Sequence, residues 1–467
     1  MTNGLGGAAE GSWLPQVKLS VYDKAECFVV ANDYRRNNWE PYLLHTTNSG
    51  QSWTNLVKGK GIGSYVLSFI QDPIEPNLMF LGTEFGLFIS FDRGENWQKW
   101  TEGYPSVSTM DMAIQEREND LVIGTFGRAV WIFDDITPLR EIAADGEESL
   151  EKPLTLFPVN TSYMVAKKQP SGSRFGGKAM FDGTNEPTGA RFTFYINKPK
   201  KDKKKKDNND KVKEKTENED KPSSDSLAIR IYDSIGNEVR TMYTKVDTSL
   251  QRMYWNYSTN GIRNPGSKKP KNKRTPPSGR QVLPGDYKVV FEYMNSKDSS
   301  EFEVKYDPRI EYDIADMQQR NKLFEYMNSN VVQATEAMDK INEVEERISI
   351  YEKLFEANED LELNSIKKDM KALKDSIESI RGYLRGKSGL KGIVRLNTSY
   401  NQIMNYAGYY ISSGMEEPNS SHKLMADRVE RMSDVIVDKV EIFLSEEWKP
   451  LQSEIEKLDF KLFEKIE

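Results

Sequence analysis

The 467-residue chain contains one cysteine, Cys27, and two histidines, His45 and His422. A single thiol makes no internal disulfide, and its place in an apolar run predicts a buried side chain. Two imidazoles leave a histidine-based metal centre or a Ser-His-Asp triad almost no material. Neither a P-loop nor a dinucleotide glycine fingerprint occurs, so no cofactor and no metal are expected. No apolar run reaches the ~20 residues that span a bilayer. Positive charge is not in excess: 65 Lys and Arg against 72 Asp and Glu give a net charge of −7, which argues against a nucleic-acid groove. The first residues carry neither the basic start nor the apolar stretch of a signal peptide, and 1–19 read as a lead-in loop.

What the chain does contain is a repeated corner. Ser90-Phe91-Asp92-Arg93-Gly94-Glu95-Asn96-Trp97 spells Ser-x-Asp-x-Gly-x-x-Trp, and Thr46-Thr47-Asn48-Ser49-Gly50-Gln51-Ser52-Trp53 is a near copy. Gly50 and Gly94 supply the positive φ that a tight hairpin needs. Asn48 and Asp92 are placed to bond the amides of the turn, with Thr46 and Ser90 adding a weaker bond. Trp53 and Trp97 offer large rings to pack between strands. All eight are read as structural. Asp92 has its oxygens committed to the turn, and its counterpart Asn48 is no acid.

A longer repeat encloses the corners. Leu81-Gly82-Thr83-Glu84-Phe85-Gly86-Leu87-Phe88-Ile89 aligns with Ile123-Gly124-Thr125-Phe126-Gly127-Arg128-Ala129-Val130-Trp131-Ile132, and each follows another apolar run. The period is about forty residues, the length of a four-stranded propeller blade. Residues 20–140 then hold some two and a half blades, fewer than the about four a closed ring requires. The remaining blades are expected outside this sequence.

From 150 to 307 the pattern stays β, with alternating strands at 190–196, 227–232 and 238–242, a Pro284-Gly285 turn and a last strand at 301–306. This set suits an immunoglobulin-like sandwich. Its insertion, 198–226, is nearly all Lys, Asp, Asn and Glu, and predicts a disordered loop. After Asp307 the period becomes helical. Leu323, Met327, Val331, Ala334, Met338, Ile341 and Ile348 make one stripe, and Ile366, Met370, Leu373, Ile377, Ile380 and Leu384 another. Asn358 to Asp360 link these two, further helices fall near 395–412 and 422–446, and Pro450 opens a last one. Short links predict a bundle over 308–467. The fold class is therefore β plus α: partial blades, a sandwich and a helical bundle.

With these residues in view, the chain resembles the carboxyl-terminal part of bacterial BNR-repeat proteins with sortilin-like propellers, often labelled glycosyl hydrolases. The similarity rests on 82–90 running into the second Asp box, on Trp131-Ile132-Phe133-Asp134-Asp135-Ile136-Thr137-Pro138-Leu139, and on Leu283-Pro284-Gly285-Asp286-Tyr287 and Asp307-Pro308-Arg309. It implies an exported parent, extracellular, periplasmic or at the cell surface, with amino-terminal blades absent here. Two functions follow. The first is a binding or scaffolding module, with Glu84, Phe85, Phe126 and Arg128 on loops at one end of the blades meeting a glycan or peptide. The alternative place for Phe85 and Phe126 is packed between blades. The second is a glycoside hydrolase, which needs two carboxyl groups across the scissile bond. The resemblance places those in the missing blades, and Glu84, Asp111 and Asp134 are not marked as a pair.

Overall fold

The computed structural model describes residues 7–146, 148–165, 186–198, 226–270, 275–356, 363–386 and 399–458. The fold is mixed β plus α, with a helical carboxyl-terminal region. Three antiparallel meanders come first. β1 (Trp13–Leu19), β2 (Cys27–Asp33), β3 (Asn38–Thr46) and β4 (Thr54–Asn55) pair in chain order; so do β5 (Val66–Gln71), β6 (Met79–Thr83), β7 (Gly86–Ser90) and β8 (Gln98–Lys99); β9 (Thr109–Gln115), β10 (Asp120–Thr125) and β11 (Val130–Phe133) form a three-stranded sheet. The lead-in loop expected over 1–19 is corrected here. Trp13–Leu19 is the edge strand of the first sheet, and a register shift between Trp13 and Gln16 absorbs Pro15. Proline is tolerated there because an edge strand has amides that need no partner.

The middle sheet shows why the meanders stack. Side chains alternate across a strand, so Met79, Leu81 and Phe88 pack against Phe28, Val30 and Leu43 of the first sheet. Their neighbours Phe80, Leu87 and Ile89 turn the other way, onto Met112, Leu121 and Ile123 of the third. Each such burial contributes about 1.5–3 kcal/mol. Gly82 permits the close approach: a Cβ there would lie 2.1 Å from Ser68 Oγ and 2.6 Å from the Thr109 carbonyl oxygen. Cys27 is half-buried rather than buried.

α1 (Thr137–Asp145) and α2 (Glu148–Glu151) follow the third sheet. Then come β12 (Leu154–Leu156), β13 (Ser162–Met164), β14 (Ala190–Ile196), β15 (Ser226–Asp233), β16 (Glu238–Lys245), β17 (Ser249–Trp255), β18 (Ser258–Asn260), β19 (Ser278–Gln281), β20 (Gly285–Tyr293) and β21 (Ser296–Tyr306). A three-stranded sheet, β12-β14-β17, and a five-stranded sheet, β13-β21-β20-β15-β16, share one core, while β18 and β19 pair with each other. Edge-to-face rings dominate the shared core: Phe192 meets Phe291 and Phe302, and Phe194 meets Phe291. The strand pair β13–β21 is parallel. The charged insertion predicted over 198–226 lies, but for its two end residues, outside the described residues.

The carboxyl-terminal region comprises α3 (Ile314–Glu356), α4 (Asn364–Arg385), α5 (Tyr400–Ser412), α6 (Ser420–Ile442), a π-helical stretch Phe443–Trp448, and α7 (Lys449–Ile455). The stripes read from the sequence on α3 and α4 are buried in a single core, Leu323 only partly. The link at 358–360 lies outside the described residues. No break precedes Pro450: α6, the π-helical stretch and α7 are continuous, with proline in the first turn of α7.

Candidate functional site

In a meander, successive turns fall at alternate ends. The turns at 34–37, 84–85 and 126–129 therefore share one end of the three sheets, and the two repeated corners occupy the other.

The corners are built alike. The Ser90 hydroxyl donates to Asp92 Oδ1 at 2.8 Å and accepts the Gly94 amide at 2.8 Å, while Asp92 Oδ1 accepts the Asn96 amide at 2.8 Å and its Oδ2 the Asn96 side chain at 2.7 Å. Thr46 donates to Asn48 Oδ1 at 2.9 Å and accepts from the Gly50 amide at 3.0 Å, and Asn48 Oδ1 accepts the Ser52 amide at 2.9 Å. Gly50 and Gly94 have φ of 84° and 87°. Trp97 is buried between the first two sheets and Trp53 is half-buried. Burial alone would raise the Asp92 pKa, but hydrogen bonds from Asn96 and Ser90 outweigh it and hold the carboxyl below its ordinary value. A carboxylate so held is no proton donor.

The opposite end is aromatic. Tyr34, in a short 3-10 turn, stacks on Tyr65 with centroids 4.5 Å apart, and Trp39 lies 5.7 Å from Tyr65. The Arg35 guanidinium sits 4.6 Å from the Tyr34 ring and 5.5 Å from that of Trp13. The Tyr65 hydroxyl donates to Glu84 Oε2 at 2.7 Å. Burial, then Glu84, pushes the Tyr65 pKa up, so the phenol stays a donor and holds the Glu84 carboxylate in place. Phe85 is 58% exposed and Phe126 74% exposed, so neither packs between sheets. Arg128 is exposed, and its carbonyl oxygen accepts from Trp131 Nε1 at 3.0 Å.

The segment 105–108 runs between the turns: a Cβ on Gly86 would lie 3.7 Å from the Pro105 carbonyl oxygen, and the Phe126 amide donates to that of Ser108 at 2.9 Å. The inner strands are tied by Gln16 of β1. Its Nε2 donates to Asp111 Oδ1 at 2.9 Å, and its Oε1 accepts the Phe69 amide at 2.9 Å.

The three carboxylates open to a hydrolytic reading have separate surroundings. Glu84 belongs to Tyr65, and Asp111 to Gln16 and the Met112 amide. Asp134 lies at the junction with the second β region, where burial, then Glu186 and Asp120, pushes its pKa up. Sequence reasoning missed Tyr34, Arg35, Trp39 and Tyr65. The available signal was Tyr34-Arg35-Arg36 and Trp39 flanking a turn between two apolar strands. Among the described residues, no group of three or more His, Cys, Asp or Glu side chains is placed to hold a metal ion. No described helix is long and apolar enough to cross a membrane.

No protein-family model matches the chain, and no curated protein matches it. Among solved structures the chain is similar to a GH74 enzyme from Niastella koreensis, at 14% identity over 39% of this chain and 28% of that one, with a TM-score of 0.23. It is also similar to a GH74 xyloglucanase from Xanthomonas campestris, at 10% identity over 62% and 36%, with a TM-score of 0.21. An ancestral GH74 enzyme gives 12% identity over 64% and 32%, again with a TM-score of 0.21. The chain thus spans between 28% and 36% of the length of these proteins.

Proposed function

We propose that the three meanders are consecutive blades of a β-propeller and that the chain is a ligand-binding and scaffolding module, not a catalyst by itself. The observation that carries this is the Trp13–Arg35–Tyr34–Tyr65–Glu84 assembly, at the end of the sheets that also carries the exposed Phe85, Phe126 and Arg128. Aromatic faces and one oriented carboxylate recognise a glycan or a peptide. Incomplete closure has its own support. Gly124 occupies the repeat position of Gly82, yet a Cβ there would meet only the Asp111 carbonyl oxygen, at 3.7 Å. Among the described residues, the inner strand that crowds Gly82 has no counterpart at Gly124, and Val17 and Leu19 of β1 are 60% and 77% exposed. The ring is completed by further blades of a longer, exported parent. The two sheets that follow are read as an immunoglobulin-like sandwich.

The test is binding of neutral glycans and of extended peptides to the full chain, with Phe126→Ala and Arg128→Ala compared. Loss of about tenfold in affinity for either variant supports the reading. Binding that both variants leave unchanged removes these turns from it. The second reading is a propeller-type glycoside hydrolase whose acid pair lies in the missing blades. Sugar release by the parent that Glu84→Gln leaves intact would promote it.

A further inference from the structure

A cleft remote in sequence from the aromatic turns lies between β19 and the helices α3 and α5. Its volume is about 530 Å³, within the roughly 300–1,000 Å³ of small-ligand sites. A second hollow, of about 240 Å³, shares Arg280, Gln281, Phe324 and Ser412 with it and extends it into a groove. The walls are fixed to each other. Arg280 pairs with Glu325 at 2.6 Å, Arg263 bonds Asp339 at 3.1 Å, and the Thr335 hydroxyl donates to the Arg263 carbonyl oxygen at 3.0 Å.

Helical spacing builds the floor. Phe324, Met327 and Val331 lie on one face of α3, and Met404 and Gly408 on one face of α5. Gly408 stands inside a helix, at a place where glycine costs about 1 kcal/mol relative to alanine. Its φ is not positive, and a Cβ would sit 3.9 Å from Met327 Cε, an ordinary contact. Neither backbone nor crowding requires glycine there. Its missing side chain keeps the floor open.

The lining carries two charged side chains, Arg280, which Glu325 engages, and Arg320, which donates to the Glu416 and Ile411 carbonyl oxygens; among the described residues no carboxylate lines the groove. The side-chain amides of Asn328 and Asn405 have no hydrogen-bond partner among the described residues. Tyr409 is 69% exposed and stands edge-on to Tyr410 at 6.2 Å. A primary amide donates and accepts at once, which matches neighbouring hydroxyl groups. An apolar floor with a phenol ring matches the C–H face of a pyranose.

We propose that this groove binds a short neutral oligosaccharide. With no carboxylate pair in reach, it holds the sugar without cleaving it. The site is independent of the sheet turns, so either reading stands if the other falls.

The experiment is titration calorimetry of the full chain with cellohexaose, xylohexaose and mannohexaose. At least one is expected to bind, with Asn405→Ala and Tyr409→Ala each weakening it about tenfold. Gly408→Leu fills the floor and is expected to abolish binding while thermal unfolding shows the chain still folded. Failure of all three sugars to bind overturns the proposal. So does binding that survives the three groove variants, or that an extended peptide displaces in place of sugar.

Discussion

Arg140 and Asp72 form a buried ion pair across 68 residues: Nε lies 3.0 Å from both carboxylate oxygens, and the side chains are 7% and 0% exposed. Asp72 also accepts the amides of Ile74 and Glu75, at 2.8 Å each, and Arg140 Nη1 donates to Asn119. Helix α1 is thus fastened to the second sheet and the third at once. Removing one partner leaves an uncompensated buried charge. Arg140→Met is expected to destabilise the chain by about 3–5 kcal/mol. Adding Asp72→Asn should return part of that loss. Chemical denaturation followed by tryptophan fluorescence checks both, and strictly additive effects would count against coupling.

The two repeat glycines should behave differently. Gly82→Ala forces a methyl group onto Ser68 and the Thr109 carbonyl and is expected to cost about 1–3 kcal/mol or more. Gly124→Ala, whose Cβ meets ordinary contact only, should change stability by less than about 0.5 kcal/mol. Equal losses at both positions would mean that a strand crowds Gly124 as well.

Asp92→Asn turns the second corner into a partial copy of the first. The new amide nitrogen would face the Asn96 side-chain nitrogen, so Asn96 must turn its Oδ1 inward to accept, and the charge-assisted bonds to Asp92 become neutral ones. A loss of about 0.5–1.5 kcal/mol is expected. Asn96→Ser in the same chain supplies the arrangement in which Asn48 donates to the Ser52 hydroxyl at 2.8 Å, and should restore most of it. A double-mutant cycle on melting temperature measures the rescue; no recovery would show that the corners are not interchangeable.

His422 makes the start of α6 pH-sensitive. Its Nδ1 accepts the Asn419 amide at 3.1 Å, while Asn419 Oδ1 accepts the amides of Ser421 and His422 at 3.0 and 3.2 Å. The bond to Nδ1 requires a neutral ring with its proton on the other nitrogen, an assignment made from this geometry. Burial, then Arg320, lowers the folded-state pKa. The cap's contribution is therefore present above the ordinary imidazole value near 6.5 and is lost as pH falls through the lowered one. Protection of amides 420–424 against exchange, corrected for intrinsic rates, should drop between about pH 7 and 5 by the worth of a cap, about 0.5–2 kcal/mol. His422→Glu keeps the capping box and should flatten the dependence over that range.

The corners were legible because their chemistry is local: a hydroxyl, an Asn or Asp, a glycine and a tryptophan within eight positions determine the turn. Helical stripes on α3 and α4 were legible for a related reason, since spacing alone puts their side chains on one face. β1 was hidden by Pro15, a breaker signal that an edge strand overrides. α1 was hidden because Thr137-Pro138 suggests a stop, although proline in a first helical turn starts one. Tyr65, Glu84, Tyr34 and Arg35 come together only through the stacking of separate sheets, and no spacing within one segment announces that. The groove at Gly408 depends on two regions meeting, so neither contributes a motif.

Along α6 and α7 the inward-facing residues Ser433, Ile436, Val440, Phe443, Trp448, Leu451 and Ile455 advance by three or four, except for a step of five at Phe443. The wider π-helical turn falls on that step and takes up the surplus residue. The stretch holds one residue more than an α-helix with the same inward spacing would need. Loss of one codon among Ser445, Glu446 and Glu447, all solvent-facing, would restore an ordinary turn and leave Trp448 and Leu451 seated. The same deletion a few turns earlier would have no such slack to draw on.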